Sequence, residues 1–187
     1  GDGVATLMQK GVITNQKKNI DPGKTITGLI VGSSKLHQFA HQNSDIEIRS
    51  TEYTHHAGTL AAIQQFIAIN SAIEVDLTGQ VNAEIANKTY VGAVGGALDF
   101  IRAANQSYGG VSIIALPASG KNFSRIVSNL QGPVSTPRSD AGLIITEYGI
   151  ADLRGLSIPQ RVEKMIAIAH PHFQKELEQQ AMDLALI

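Results

Sequence analysis

"YVGAVGGALDF" runs from Tyr90 to Phe100, and its reading decides the fold. Tyr90–Val94 form an apolar run that reads as a strand, and Ala97–Asn105 carry a helical pattern. Gly92, Gly95 and Gly96 lie between or beside them. Glycine gives up more backbone freedom on folding than any other residue. A cluster at the junction of two regular elements therefore signals that something comes close to the main chain. A strand that feeds a helix through a short turn is the repeating unit of an α/β fold.

The alternation continues outward in both directions. "TITGLIVGS" (Thr25–Ser33) is β-branched and bounded by glycine, which predicts a buried strand. Ser34 is placed to cap a helix over "KLHQFAHQ". "IEIRS" reads as a short strand and "GTLAAIQQF" as a helix. The clearest pattern follows. Ile67, Ile69, Ser71, Ile73, Val75 and Leu77 alternate with Ala68, Asn70, Ala72, Glu74 and Asp76. Period two means strand, with Asn70, Glu74 and Asp76 on the face opposite the apolar one. Thr78-Gly79 is a turn signal, and Val81, Ala83 and Ile85 resume the alternation, which predicts antiparallel strands.

Beyond the glycine segment, "GGVSIIALP" reads as a buried strand and "FSRIVSNL" as a second strand. "GPVSTPRSDAG" is a loop, and "LIITEYG" is a buried strand that ends in polar residues. Ser157, Pro159 and Gln160 have the spacing of a capping box. Ile158, Val162, Met165, Ile166 and Ala169 stripe the helix that follows; Pro171 ends it, and Phe173–Leu184 form the last helix. The expected fold is α/β, a three-layer open sheet, mixed but mostly parallel, with helices on both faces. Residues 1–187 are expected to form a single domain, with 1–20 an inter-domain linker or an N-terminal helix.

The chain has 187 residues, 43% of them hydrophobic, which suffices for a sizeable core. With 15 basic and 16 acidic residues it has no positive excess for nucleic acid or an anionic membrane. Cysteine is absent, which excludes a disulfide-stapled fold and thiol chemistry. No apolar run reaches the length of a membrane span, and "GDGVATLMQKGVITNQKK" lacks a signal-peptide layout. The chain is expected in the cytoplasm.

Several motifs can be weighed on spacing alone. Gly92, Gly95 and Ala97 approximate a dinucleotide loop, but the next strand ends "IIALPASG" without the carboxylate that a ribose needs, so NAD is not expected. A glycine turn at a helix start still offers N–H groups to an anion or a developing oxyanion; close strand–helix packing explains the same glycines equally well. "ASGKNFS" (Ala118–Ser124) fails as a P-loop, because Ala115 replaces the first glycine and Asn122 the magnesium-binding hydroxyl. "HQFAH" has the spacing of a zinc helix, but Gln38 replaces the catalytic Glu; His55, His56, His170 and His172 are not tied to it, and no metal site is expected. Glu147 ends an apolar strand, where ligands gather in open α/β sheets, and Asn70 sits mid-strand on a polar face. An N-cap, an ion pair or simple solvation accounts for either residue as readily.

"EVDLTGQVNAE", "GAVGGALDFIRAA", "LIITEYGIADLRGLSIPQR" and "IAHPHF" together resemble the C-terminal domain of the acetyl-CoA hydrolase/transferase family, the class I CoA-transferases. "GVITNQKKNIDPGK" resembles the 4-hydroxybutyrate and butyrate type most. The resemblance covers nearly the whole chain. It implies two similar α/β domains with the active site between them, acyl-CoA and a small carboxylic acid as substrates, and a homo-oligomer. Ping-pong chemistry is implied, through a glutamyl-CoA thioester, with coenzyme A as substrate and neither metal nor NAD.

Residue by residue, the resemblance implies that Gly95 and Gly96 supply the oxyanion hole, Gly96 as donor. Asn70 orients the reacting carbonyl, and Glu147 is the second active-site glutamate. Ser119, Gly120, Lys121, Asn122 and Ser124 fall in the segment that meets CoA, where Lys121 departs from a common glycine pair. Similar members carry the nucleophilic Glu just before the stretch matching "GDGVATLMQKGV", so it is expected upstream of Gly1, and Glu52 is not assigned that role. Gly96→Val is expected to cut turnover and leave the fold intact. The alternatives are an acetyl-CoA hydrolase and a non-catalytic CoA- or nucleotide-binding module.

Overall fold

A computed structural model describes all residues from Gly1 to Ile187. In chain order the elements are α1 (Asp2–Gln9), β1 (Thr25–Thr27), α2 (Ser34–Ala40), β2 (Ile46–Ile48), α3 (Thr51–Thr54) and α4 (Ala57–Ala62). Then come β3 (Ile67–Ser71), β4 (Glu74–Asp76), β5 (Val81–Asn82), β6 (Ile85–Ala86), β7 (Thr89–Tyr90) and α5 (Ala97–Gln106). The rest is β8 (Val111–Ala115), β9 (Ile126–Val127), β10 (Leu143–Thr146), β11 (Gly149–Asp152), α6 (Ile158–Ala167) and α7 (Pro171–Asp183).

The α/β class holds, and parallel pairing predominates. β1–β2, β3–β8, β8–β10 and β4–β9 are parallel, against antiparallel β10–β11, β4–β5 and β6–β7. The strands are divided among four small sheets, the largest in the order β11-β10-β8-β3. The split falls inside the alternating run Ile67–Leu77: β3 joins β8, whereas β4 joins β5 and β9 in a second sheet. One ribbon therefore serves two sheets.

The core gathers around β4, β8, β10 and α6, with Leu77, Ile101, Ile126, Ile144, Leu153, Met165, Val75 and Val162 almost fully buried. Helix α6 starts as its sequence predicts, with Ser157 and Gln160 closing the capping box.

Four local expectations need correction. Ser33, not Ser34, caps α2, its hydroxyl accepting from the Leu36 amide. Only Thr25–Thr27 of the Thr25–Ser33 segment is strand, and Leu29 and Val31 are exposed. On β3 it is Ala68 that is buried while Ile67 and Ile69 face out, because β3 is an edge strand of its sheet. Tyr90–Val94 is not a strand. β6 and β7 form a hairpin turned by Asn87 and Lys88, both left-handed, and beyond Gly92 the chain runs to α5 without regular structure. The hairpin β10–β11 was not anticipated, because Gly149 and Ile150 follow the polar Glu147-Tyr148 without a conventional turn pair.

The crossover from α5 to β8 is tight at Gly110. A Cβ there would press on the Ala104 carbonyl and lie 2.8 Å from Ser107 Cβ and 3.0 Å from the Phe66 oxygen. Gly110→Ala is expected to cost about 1–3 kcal/mol, as overpacking does. Urea denaturation should show a lower midpoint at unchanged slope; an unmoved midpoint would mean that the crossover yields freely.

Candidate active site

The carboxyl ends of β3, β8 and β10 form one edge. Asn70 pairs with Ile114 and Ser71 with Ala115, while Ile145 pairs with Ala115 on the other side. Asn70 is therefore the penultimate residue of β3, beside β8, and Glu147 follows Thr146 at the end of β10. The Glu147 side chain is joined to the segment after β8, where the Ala118 amide donates to its Oε2 at 2.8 Å. That N–H, together with the residue's own amide, holds the Glu147 carboxyl below the usual carboxylate range; partial desolvation opposes this and His170 adds a smaller pull. His170 packs edge-on to Tyr148, with ring centroids 5.3 Å apart.

The segment Ser119–Ser124 is a tight turn rather than a phosphate loop. Ser119 and Ser124 form a bridge, the Gly120 amide donates to the Phe123 carbonyl at 2.9 Å, and no helix follows. Lys121 and Asn122 stand exposed at its tip, and the Phe123 ring lies over Gly120. Glu147 is thus tied to the root of this turn through Ala118.

The glycine pair reaches the same edge by another route. Helix α5 runs back to the start of β8. There Ser107 Oγ donates to the Ile63 carbonyl at 2.5 Å and accepts from the Phe66 amide at 3.2 Å. The helix N-terminus, with Gly95 and Gly96, consequently lies toward the carboxyl ends of β3 and β8. No direct contact joins the pair to Asn70 or Glu147.

The main chain here has an uncommon property. The Val91 and Gly92 amides donate to the Glu84 carbonyl, and the next main-chain bond in the sequence is Phe100 N–H to the Gly96 oxygen. The seven amides from Ala93 to Asp99 donate to nothing within the chain. Four free N–H groups are normal at a helix start; the row here is longer and includes the loop.

Two contacts escaped sequence reasoning. The Cδ2–Nε2 edge of the His55 ring occupies the side of Gly96 where a Cβ would stand, and the ring packs on Phe100 with centroids 4.8 Å apart. Gly96 has φ −80°, so its glycine is required by this contact and not by a left-handed backbone. Only the neighbouring "THH" hinted at an imidazole there. His55 also lines a cleft of about 830 Å³ with Tyr53, Leu60, Phe66 and Phe100. No group of three or more His, Asp or Glu side chains is brought together in a way that could hold a metal. No helix is long and apolar enough to cross a membrane.

The family model for the acetyl-CoA hydrolase/transferase C-terminal domain matches residues 32–181. The chain belongs to the acetyl-CoA hydrolase/transferase family. Among its relatives is the 4-hydroxybutyrate coenzyme A transferase of Clostridium kluyveri, 39% identical over 180 residues, 94% of this chain and 42% of that protein. A probable butyrate:acetyl-CoA coenzyme A-transferase of Syntrophomonas wolfei is 37% identical over 189 residues, 98% of this chain and 42% of that one. The crystal structure of RipA from Yersinia pestis superposes with a TM-score of 0.94 at 37% identity, over 99% of this chain and 42% of that one. A 4-hydroxybutyrate CoA-transferase structure from Porphyromonas gingivalis gives 0.84 at 37%, over 98% and 43%. The chain thus spans about two fifths of the length of these family members.

Proposed function

We propose that this chain is the C-terminal domain of an acyl-CoA:carboxylate CoA-transferase. It would supply the oxyanion donors and part of the CoA site at a cleft shared with the other domain. The observation that carries the reading is the row of seven unengaged amides from Ala93 to Asp99, at a helix N-terminus on the edge that also bears Asn70 and Glu147.

In this reading a glutamate carboxylate, expected from the segment that precedes Gly1 in similar members, attacks the thioester carbonyl. The C–S bond breaks, giving an acyl-glutamyl anhydride and CoA thiolate. The thiolate then attacks the glutamyl carbonyl and expels the first carboxylate, leaving an enzyme–CoA thioester. An incoming carboxylate takes up CoA by the reverse steps. Each tetrahedral stage puts negative charge on a carbonyl oxygen, and fixed N–H donors stabilise it without reorganising. Gly95 and Gly96 serve as the donors, and Asn70 orients the carbonyl with a carboxamide that has no partner in the chain. Glu147 is held ionised by Ala118 at the mouth of the Ser119–Ser124 turn, where Gly120, Lys121 and Asn122 meet CoA. Acyl exchange between carboxylate and thiolate needs neither a redox cofactor nor a metal.

Five relatives named CoA-transferases match 94–98% of the chain and one more matches 59%, whereas the two named acetyl-CoA hydrolase match 58% and 60%. Transfer is therefore preferred over hydrolysis.

The test uses the full-length protein. Incubation with acetyl-CoA should add the mass of CoA less water to the protein, and butyrate should discharge it as butyryl-CoA. Release of acetate and free CoA without an acceptor would favour the hydrolase. A protein that gains no mass and exchanges no CoA would sink both.

A further inference from the structure

Glu84 is 3% exposed, yet no cation accompanies its carboxylate. Neutral donors fill both oxygens: Ser135 Oγ donates to Oε1 at 2.7 Å and the Tyr90 hydroxyl to Oε2 at 3.2 Å. Its amide donates to Asn82 Oδ1 at 3.0 Å. Its carbonyl accepts from the Val91 and Gly92 amides at 2.9 and 3.0 Å.

The hub is itself braced. Asn82, completely buried, donates to Glu74 Oε1 at 2.9 Å and to the Ile85 carbonyl at 2.8 Å, and Glu74 Oε1 also receives the Gln131 and Gly132 amides. Ser135 Oγ accepts from the Ala83 amide at 3.0 Å. A buried carboxylate is costly to hold unless its lone pairs are satisfied, so a fully satisfied one fixes the segments that satisfy it. Gly92 is pinned sterically as well, since a Cβ on it would lie 2.5 Å from the Ala83 carbonyl.

The Glu84 carbonyl is the last main-chain anchor before the row of unengaged amides. The geometry points to Glu84 as a positioning residue: its carboxylate, clamped between Tyr90 and Ser135, fixes the carbonyl from which the Ala93–Asp99 amides are hung. The kinetic consequence rests on the CoA-transferase reading; the anchoring itself does not.

Tyr90→Phe in the full-length protein is the decisive variant. The Tyr90 side chain is 65% exposed, so the change removes one hydroxyl donor and little packing. A hydrogen bond to a charged acceptor is worth about a factor of ten or more. Exchange of the Val91 and Gly92 amides should accelerate about tenfold, and formation of the enzyme–CoA thioester should slow about tenfold. KM for acyl-CoA should stay within about twofold and the melting temperature should be nearly unchanged, a split that a general loss of folded protein does not give. Glu84→Gln keeps the shape with a weaker acceptor and should fall between parent and Tyr90→Phe. Val91 and Gly92 exchange as in the parent would overturn the anchoring. Faster exchange with parental kcat would overturn the positioning role. A parent without CoA exchange would overturn the functional reading alone, and the amide exchange would still decide the anchoring.

Discussion

Gly95→Val in the full-length protein is expected to lower the rate of enzyme–CoA thioester formation by about 10²–10³-fold, the cost of losing one preorganised oxyanion donor. Its melting temperature should stay within about 2 °C of the parent, as for surface substitutions in a chain of this size. The structure separates the two glycines. A Cβ on Gly95 meets nothing closer than the Ala93 carbonyl at 4.0 Å, and its φ is not left-handed. A valine therefore fits, but it covers the amide row from the open side. Gly96 is different, because a side chain there collides with the His55 ring. The expectation that Gly96→Val would leave the fold intact is corrected accordingly: that variant moves His55 and the Phe100 it packs on, and should melt lower. Measuring both variants for melting temperature and thioester formation resolves packing from catalysis. Parental kinetics in Gly95→Val would mean that the amides do not meet the reacting carbonyl.

Glu147→Gln is expected to slow CoA transfer by about 10²–10⁴-fold, the range for a positioned proton-transfer or charge-stabilising group. The amide keeps the shape and an acceptor for the Ala118 N–H but loses the charge. Its effect on stability should be small, present near neutral pH and lost in acid. The folded Glu147 carboxyl lies below its ordinary value of 4.5, chiefly through the Ala118 amide. A depressed carboxyl contributes stability above its unfolded pKa and loses it as pH falls through the folded one. The parent should therefore melt slightly above the Gln variant at pH 6, and the difference should shrink below about pH 4. A difference that grows on acidification would contradict this account of Glu147. Transfer at the parental rate in the Gln variant would remove Glu147 from the site.

Much of this was legible in the chain because burial and capping leave local signatures. The Ser157–Gln160 box and the stripe from Ile158 to Ala169 gave α6, and Ala97 opened α5 as read. Strand order was less accessible. Nothing in the period-two run from Ile67 to Leu77 marks where β3 leaves for one sheet and β4 for another, since alternation records faces and not neighbours. The outward turn of Ile67 and Ile69 was missed for the same reason: an edge strand exposes residues that a central strand would bury. At the site, Glu147 stood out because it interrupts an apolar strand. The reason Gly96 must be glycine lies in His55, 41 positions earlier, and such a contact has no signature in spacing. Likewise Glu84, Tyr90 and Ser135 meet only in three dimensions.

The ribbon shared by two sheets ties the proposed donors to each other. Asn70 lies one residue from the end of β3, and four residues later Glu74 begins the polar chain through Asn82 to Glu84 and the root of the amide row. The carboxamide and the amides are thus spaced by one short stretch of extended backbone rather than by the meeting of independent loops. Length there is not adjustable. One residue added between Ser71 and Glu74 would shift the amide row relative to Asn70, whose place is set by its pairing with Ile114 on β8.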